Sequence, residues 1–246
     1  MGTEQIKILF LAANPEGTGQ LNLEDEYNRI YEALNSRQAK GRFRLFRYWK
    51  VRRDELIELL RDYQPHILHF SGHGDNSGTI VLETGDGRRW DLDEQTLRAV
   101  LASAGNSVKL VCLNACFSHL SGQVLSRLVD CVIGMSTAVY DQTAITFSES
   151  FYRGLGNAES IQAAFDQARA QILLNAQQGQ YTPQILPNPR ASDPRDIVPV
   201  RDWIAEHSTP QSSLSQSGGV TINIGSPRDQ STQTNNVNHI NPGKNR

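Results

Sequence analysis

A histidine and a cysteine each follow a short apolar stretch of the chain. The segment "HILHFSGHG" places His73 between Gly72 and Gly74, and "VKLVCLNACFS" places Cys116 just after an apolar run. A cysteine thiolate can attack a carbonyl carbon, and an imidazole can carry out the proton transfers near neutral pH. If the fold brings the two side chains together, they form the reacting pair of nucleophilic catalysis.

The glycines beside the histidine suit such a reaction. Without side chains, Gly72 and Gly74 would let the backbone of a substrate approach closely. The backbone amides of Gly74 and Cys116 could then donate hydrogen bonds to the oxyanion that develops on the attacked carbonyl. Donors placed in this way can each contribute roughly 3 kcal/mol or more to the transition state.

Each residue type also has an ordinary structural interpretation. A single histidine near a strand end is more often hydrogen-bonded within the fold, as we expect for His69, and a single strand cysteine is more often part of the core. Cys112 and Cys131, which have apolar neighbours, are predicted to be core residues. The joint placement of His73 and Cys116 favours catalysis. The cysteines are not grouped with the six histidines, so neither a metal site nor another cofactor is predicted.

The elements that must position these residues alternate between strands and helices. Apolar runs predict strands in "IKILFLAA", "FRLFRYWK", "HILHFSG", "VKLVCLNAC" and "CVIGMS", an edge-type strand in "TPQILPNPR", and a hairpin over "TIVLE" and "RWDL" with its turn at Asp86-Gly87. Helical spacing is found in "LNLEDEYNRIYEALNS", "DELIELLRDY" with Asp54 as its cap, "DEQTLRAVLASA", "QVLSRLVD", "TAITFSESFYRGL" and "SIQAAFDQARAQILL". Strands that are apolar on both faces predict an α/β fold with a mostly parallel central sheet between two helical layers.

The predicted sheet brings the two reactive residues together. In open parallel sheets, ligands and chemistry collect beyond the carboxyl ends of the strands. The chain between His73 and Cys116 has room for the hairpin, a crossover helix and a return strand, so the two strands are plausible parallel neighbours.

Charge and composition exclude some partners. The net charge of −2 gives no overall attraction to nucleic acid or to an anionic membrane. One stretch, residues 37–53, is basic and has no acid; its Arg42 and Arg44 alternate with Phe43 and Leu45, which favours the wet face of an edge strand over a ligand patch. The amino-terminal apolar run is too short for a signal peptide or a membrane span, and the three cysteines suit reduced thiols. We therefore expect a cytoplasmic protein with neither a nucleic acid nor a membrane as partner.

The composition changes near the carboxyl end. After Glu206, Ser, Asn, Gln and Gly dominate, so we predict a folded domain over residues 1–205 and a disordered low-complexity tail over residues 206–246. Within the tail, Val220, Ile222 and Ile224 alternate with polar residues, a pattern typical of segments that stack in register. Residues 218–241 are thus either a linker or an assembly motif that could recruit the protein to an upstream receptor.

The paired segments around His73 and Cys116 resemble the signature of the CHAT-domain family, which lies in the caspase, separase and gingipain group of cysteine peptidases. "ILFLAANPEGTGQLNLEDEYNRI" and "VIGMSTAVYDQTAITFSESFYRGL" resemble other parts of short prokaryotic CHAT proteins, and the resemblance covers roughly residues 5 to 190. It implies a caspase-like fold with His73 as catalytic histidine and Cys116 as nucleophile.

Asp141 and a segment of the tail also gain an interpretation from related families. Asp141 resembles the acidic position of separases that is associated with an arginine before the scissile bond; its alternative role is to cap a helix starting near Thr143. The tail segment "TINIG" resembles the core of amyloid-signalling motifs, with Asn223 where glutamine is usual.

The resemblance implies a cytosolic cysteine endopeptidase that cleaves a protein substrate, in a prokaryotic defence or regulated cell-death pathway. The alternative from another class is a non-catalytic signalling or assembly module on the same fold. A flavodoxin-like or nucleotide-binding domain is disfavoured, because "AANPEGTG" contains neither a P-loop lysine nor the GxGxxG pattern.

Overall fold

The computed structural model describes residues 4–175 and 183–205. The strands of this part are β1 (Ile6–Ala12), β2 (Phe43–Trp49), β3 (Ile67–Ser71), β4 (Ile80–Glu83), β5 (Arg89–Leu92), β6 (Leu110–Asn114), β7 (Cys131–Met135) and β8 (Pro183–Pro187). The helices are α1 (Leu23–Leu34), α2 (Leu56–Tyr63), α3 (Glu94–Ser103), α4 (His119–Leu125), α5 (Asp141–Gly156), α6 (Ile161–Asn175) and α7 (Pro199–Ala205).

Six strands form one sheet in the order β2-β1-β3-β6-β7-β8, while β4 and β5 form a separate hairpin. The first five strands of this order are parallel, and β8 runs antiparallel to β7 at the edge. The predicted mostly parallel sheet and the edge position of the last strand are confirmed. The basic strand β2 forms the other edge, with Phe43 buried and Arg44 exposed, as the alternating pattern predicted.

Helices cover both faces of the sheet, which gives the predicted three layers. On one face, α1, α5, α6 and α7 bury aromatic side chains such as Tyr27, Phe151 and Trp203 in one hydrophobic cluster that includes Phe10 of β1. On the other face, α2, α3 and α4 bury mainly leucines against β1, β3 and β6. Since the central strands are covered on both sides, their carboxyl ends are the part of the sheet left open for a site.

Two local predictions are corrected. Asp54 does not cap α2, since the cap position is Glu55, whose carboxylate pairs instead with Arg52. Helix α4 begins at His119, earlier than the segment "QVLSRLVD", because the chain turns sharply at Phe117 directly after Cys116.

Helix α7 lies in the proline-rich region and was not predicted. A proline is tolerated at the first position of a helix, where its missing N–H would have no partner in any case. The Asp202 carboxylate accepts a hydrogen bond from the Val198 N–H at 2.7 Å, and Trp203 is buried in the core. One aromatic anchor and one side-chain hydrogen bond therefore hold this short helix.

Some predictions lie outside the described residues. The tail of residues 206–246 and its segment 218–241 lie there entirely, and the domain boundary near residue 205 stays a prediction. Within the described ranges, no helix is both long enough and apolar enough to cross a membrane.

Candidate active site

The register between β3 and β6 places the reactive pair at one level. The two strands are parallel neighbours, as predicted, and Ser71 pairs with Asn114 at their carboxyl ends. The Gly72 N–H extends this pairing by donating to the Asn114 carbonyl at 3.3 Å. His73 lies two residues after Ser71 and Cys116 two residues after Asn114, so both follow the carboxyl ends of adjacent strands.

The loop between β1 and α1 orients the imidazole of His73. Its Nε2 lies 2.8 Å from the Gly19 carbonyl oxygen and 2.9 Å from Asn14 Oδ1. A carbonyl oxygen can only accept, so in the neutral ring the hydrogen is on Nε2 and Nδ1 is the basic nitrogen. The fold thus selects one tautomer of His73.

Burial is the main influence on the charge of His73. Burial lowers the pKa of His73, and the nearby charge of Arg89 lowers it further. The Gly19 hydrogen bond and the charge of Asp141 act in the opposite direction but are outweighed, so the pKa of His73 lies below its ordinary value. The neutral imidazole, which can accept a proton, is therefore favoured near neutral pH.

The thiol of Cys116 is partly exposed and is held by a sharp turn. Its Sγ lies 3.4 Å from the Val139 N–H, which belongs to the segment after β7. The next residue, Phe117, has φ +55°, a left-handed conformation that costs a non-glycine residue of the order of 1 kcal/mol. The Phe117 N–H donates to the Thr137 carbonyl at 3.2 Å and secures the turn.

The other two cysteines are core residues, as predicted. Cys112 is 3% exposed and Cys131 is fully buried. Burial raises the pKa of Cys112 to about 12 and also raises the pKa of Cys131. Both are neutral thiols at physiological pH and poor nucleophiles.

Gly74 lies where no side chain fits. A Cβ added there would stand well under 3.0 Å from the carbonyl oxygen of Cys116. Gly74 faces Ile80 in an antiparallel bridge whose flanking hydrogen bonds run from Val81 N–H to the His73 carbonyl and from Asp75 N–H to the Thr79 carbonyl. In such a pair the central residues do not bond each other, so the Gly74 amide is not used by this ladder.

Asp141 is the first residue of α5, and its carboxylate does not cap this helix. The cap position is Tyr140, without a side-chain hydrogen bond, and Asp141 Oδ2 accepts from the Asn22 N–H at 3.0 Å. The alternative that Asp141 caps a helix starting near Thr143 is therefore wrong. Its carboxylate connects the start of α5 to the loop before α1 and acts electrostatically on His73.

A buried carboxylate that sequence reasoning missed contacts β3 and β6 near their carboxyl ends. Glu26 of α1 is 2% exposed. Its Oε1 accepts hydrogen bonds from His69 Nε2 at 3.0 Å, Asn114 Nδ2 at 2.6 Å and Ser148 Oγ at 2.7 Å, and its Oε2 accepts from Ser71 Oγ. His69 also contacts the Tyr152 hydroxyl through Nδ1 at 3.1 Å, so its predicted role within the fold is confirmed.

The hydrogen-bond donors keep this carboxylate charged. Burial raises the pKa of Glu26, but the hydrogen bond and charge of His69, with the hydroxyls of Ser71 and Ser148, outweigh it and leave the pKa below its ordinary value. The sequence did carry a signal for this residue. Glu26 lies three residues after Leu23 and four before Ile30, within the apolar stripe of α1.

Comparisons with known proteins show the family of this chain. The model of the CHAT domain family matches residues 3–196. The chain belongs to the CHAT domain family.

A relative described as a Roc-COR-CHAT protease, from an unknown prokaryotic organism, is 23% identical over 173 residues, which is 68% of this chain and 16% of the relative. A probable protease of Gillisia limnaea is 22% identical over 160 residues, 64% of this chain and 28% of that protein. The chain thus matches a minor part of the length of these relatives.

One solved structure shows the same fold. A secreted C11 cysteine protease from Bacteroides thetaiotaomicron, in complex with an irreversible peptide inhibitor, superposes with a TM-score of 0.51. The match covers 70% of this CHAT chain and 60% of that protein at 12% identity. The fold is therefore caspase-like.

Proposed function

We propose that this CHAT protein is a cysteine endopeptidase that cleaves a protein substrate with Cys116 as nucleophile and His73 as its acid–base partner. The observation that carries the proposal is the register of β3 and β6, which sets both residues two positions beyond the paired Ser71 and Asn114. The names of the two relatives and of the structural neighbour support it, since all three are described as proteases.

In the first half of the reaction, His73 Nδ1 takes the proton of the Cys116 thiol. The thiolate attacks the carbonyl carbon of the substrate, and the electron pair of the C=O bond moves onto oxygen. When this tetrahedral intermediate collapses, the C–N bond breaks and the amine leaves with the proton from His73. A thioester between Cys116 and the amino-terminal part of the substrate remains.

In the second half, a water molecule replaces the amine. His73 Nδ1 accepts a proton from the water as its oxygen attacks the thioester carbon. The C–S bond then breaks, the proton returns to sulfur and the new carboxylate product is released. The Gly19 carbonyl supports both halves, because its hydrogen bond keeps Nδ1 as the basic nitrogen and spreads the charge when the ring is protonated.

The amides of Gly74 and Cys116 are the proposed donors to the oxyanion. The Gly74 N–H is not used by the bridge to Ile80, and its backbone lies against the backbone of Cys116. Donors fixed in advance stabilise the developing negative charge without having to reorganise.

Asp141 is the proposed specificity residue. Its carboxylate is half-buried, near enough to influence His73, and only its Oδ2 is engaged by the Asn22 amide. A carboxylate in this position would favour a cationic side chain, above all an arginine, before the cleaved bond.

The setting of the reaction is also proposed. We infer a cytoplasmic enzyme of a prokaryotic defence or regulated cell-death pathway, brought to an upstream receptor by its carboxy-terminal tail. The description of one relative as prokaryotic supports the prokaryotic part of this setting.

The proposed function is tested with the purified protein and a peptide library. We expect Cys116→Ala and His73→Ala each to abolish cleavage while the far-ultraviolet circular dichroism stays that of the wild type. Cys112→Ala is the matched control. It removes a buried thiol four residues earlier in the sequence, on β6, and should retain most activity. Cleavage at the wild-type rate by Cys116→Ala would instead favour the non-catalytic assembly module.

A further inference from the structure

One carboxylate contacts three elements that deliver parts of the candidate active site. Glu26 lies on α1 and accepts hydrogen bonds from His69 and Ser71 of β3, from Asn114 of β6 and from Ser148 of α5. Glu26 is therefore the common anchor of β3, β6 and α5 on α1.

Each anchored element leads directly to a part of the site. Ser71 and Asn114 stand two residues before the reactive histidine and cysteine, and the loop before α1 supplies the carbonyl that orients the imidazole. Helix α5 begins with the proposed specificity residue. The four features positioned in this way are His73, Cys116, the Gly19 carbonyl and Asp141.

The arrangement around Glu26 is costly, which argues against a packing role alone. A buried charge must recover a large loss of hydration through its hydrogen bonds, and an apolar side chain in this stripe would avoid that cost. Asn114 turns its Nδ2 toward Glu26 and Ser148, which leaves its buried Oδ1 without a partner among the described residues. An unpaired buried acceptor destabilises the folded state, because it has lost its hydrogen bonds to water without gaining others.

We propose that Glu26 is a positioning residue for the reactive pair: by holding β3, β6 and α5 on α1, it keeps His73 Nδ1 and Cys116 Sγ within reach for proton transfer. This inference rests on the roles proposed above for His73 and Cys116. Glu26 hydrogen-bonds to Ser71 and Asn114, and it acts on the reacting atoms through these two residues.

A second carboxylate offers a matched control on the same pair of helices. Glu149 of α5 binds Arg29 of α1 at 3.1 Å and also pairs with Arg153, but it lies at the surface with a quarter of its side chain exposed. Surface ion pairs of this kind contribute little to stability, because water and salt screen them. Glu149→Gln therefore weakens the contact between α1 and α5 without touching β3 or β6.

The test compares Glu26→Gln with Glu149→Gln in the full chain. Glutamine keeps the size of the side chain and an acceptor oxygen for His69 and Asn114, but it loses the charge and turns a donor toward Ser71. We expect kcat to fall about tenfold or more with KM little changed, since small displacements of reacting groups cost up to about 100-fold.

A substrate-free measurement separates positioning from lost stability. Iodoacetamide should label Cys116 about tenfold more slowly in Glu26→Gln, because the thiol is then farther from the base that takes its proton, while Cys112 and Cys131 stay protected. A general loss of stability has the opposite sign, because it would speed the labelling of all three cysteines. His73→Ala gives the rate expected when the reactive pair is lost.

Wild-type labelling of Cys116 in Glu26→Gln, or equal slowing in Glu149→Gln, would overturn the inference. If Glu26→Gln does not fold, Ser71→Ala removes only the hydroxyl at Oε2 and should still slow labelling several-fold; an unchanged rate in that variant would overturn it equally. The proposed function fails separately, when cleavage survives Cys116→Ala whatever the labelling rates are.

Discussion

At the scale of single residues, the contact between Gly74 and Cys116 sets the tightest limit on the candidate site. A Cβ at position 74 would meet the carbonyl oxygen of Cys116 and the side chain of Ala115. Both belong to the segment that carries the thiol. A backbone oxygen cannot rotate away as a flexible side chain can. Relief must therefore come from a shift of the backbone at His73, at Cys116 or at both.

Gly74→Ala should therefore impair catalysis more than folding. We expect kcat to fall up to about 100-fold, because the oxyanion donor and the nucleophile move together, with a loss of about 1–3 kcal/mol in unfolding free energy. The measurements are steady-state kinetics and urea denaturation. Gly85→Ala is the control, since a Cβ there meets nothing within 4 Å; a Gly74→Ala enzyme as active as this control would contradict the prediction.

Single residues also show which parts of the site a sequence can and cannot reveal. The placement of His73 and Cys116 at the ends of neighbouring strands was predictable, because both follow continuous apolar runs; their catalytic roles stay a prediction. The Gly19 carbonyl was not, since any residue has a carbonyl and only the fold selects one. Glu26 broke the apolar stripe of α1, but its partners are as distant in sequence as Asn114 and Ser148.

At the scale of elements, strands were predicted better than helix starts. A buried parallel strand has an apolar pattern that few other structures share, and the crossover between β3 and β6 had the length of a connection between neighbours. Helix ends have weaker signals. Asp54 and Asp141 were both candidate caps by residue type, yet the structure uses neither as a cap. Glu55 occupies the cap position of α2, and the Asp141 carboxylate accepts a hydrogen bond from the Asn22 amide.

The junction of α5 with the loop before α1 should set the preference for the residue before the cleaved bond. Matched peptides with Arg, Leu or Asp at that position are compared for kcat/KM. We expect Arg to be preferred, and Asp141→Asn to reduce its advantage over Leu about tenfold or more, because a charge-assisted contact becomes a neutral one. Glu149→Gln on the same helix is the control.

A wild-type preference for Leu or Asp would remove this role from Asp141. Its interaction with the Asn22 amide gives a second readout, because Asp141→Asn would also loosen the loop that carries Gly19. A fall in kcat that is equal for all three peptides would indicate this loosening instead of lost recognition.

At the scale of the whole molecule, the sheet has two different edges. The edge at β2 carries exposed arginines, a feature that opposes pairing with another sheet, while β8 closes the other edge with prolines at both of its ends. The described part of the chain thus discourages assembly through its central sheet. If the protein assembles, a segment beyond this sheet is the better candidate.

The tail segment 218–241 is that candidate, and it lies outside the described residues. Val220, Ile222 and Ile224 alternate with Thr221 and Asn223, so in-register stacking would bury one face in a dry interface and form ladders of Asn on the other. Stacked tails would raise the local concentration of the attached CHAT domains. We therefore expect a peptide of residues 218–241 to form fibrils with a strand spacing of about 4.7 Å.

In the full protein, Ile222→Pro should block activation in cells, because proline cannot donate the hydrogen bond that a stacked strand needs. Ser213→Pro introduces a proline into the tail outside the segment and should leave activation unchanged. Activation is measured as cleavage of a reporter peptide after the upstream signal. Fibril formation is measured by fibre diffraction of the peptide after incubation with and without seeds. A peptide that stays monomeric at high concentration, together with normal activation of Ile222→Pro, would show that residues 218–241 serve as a linker.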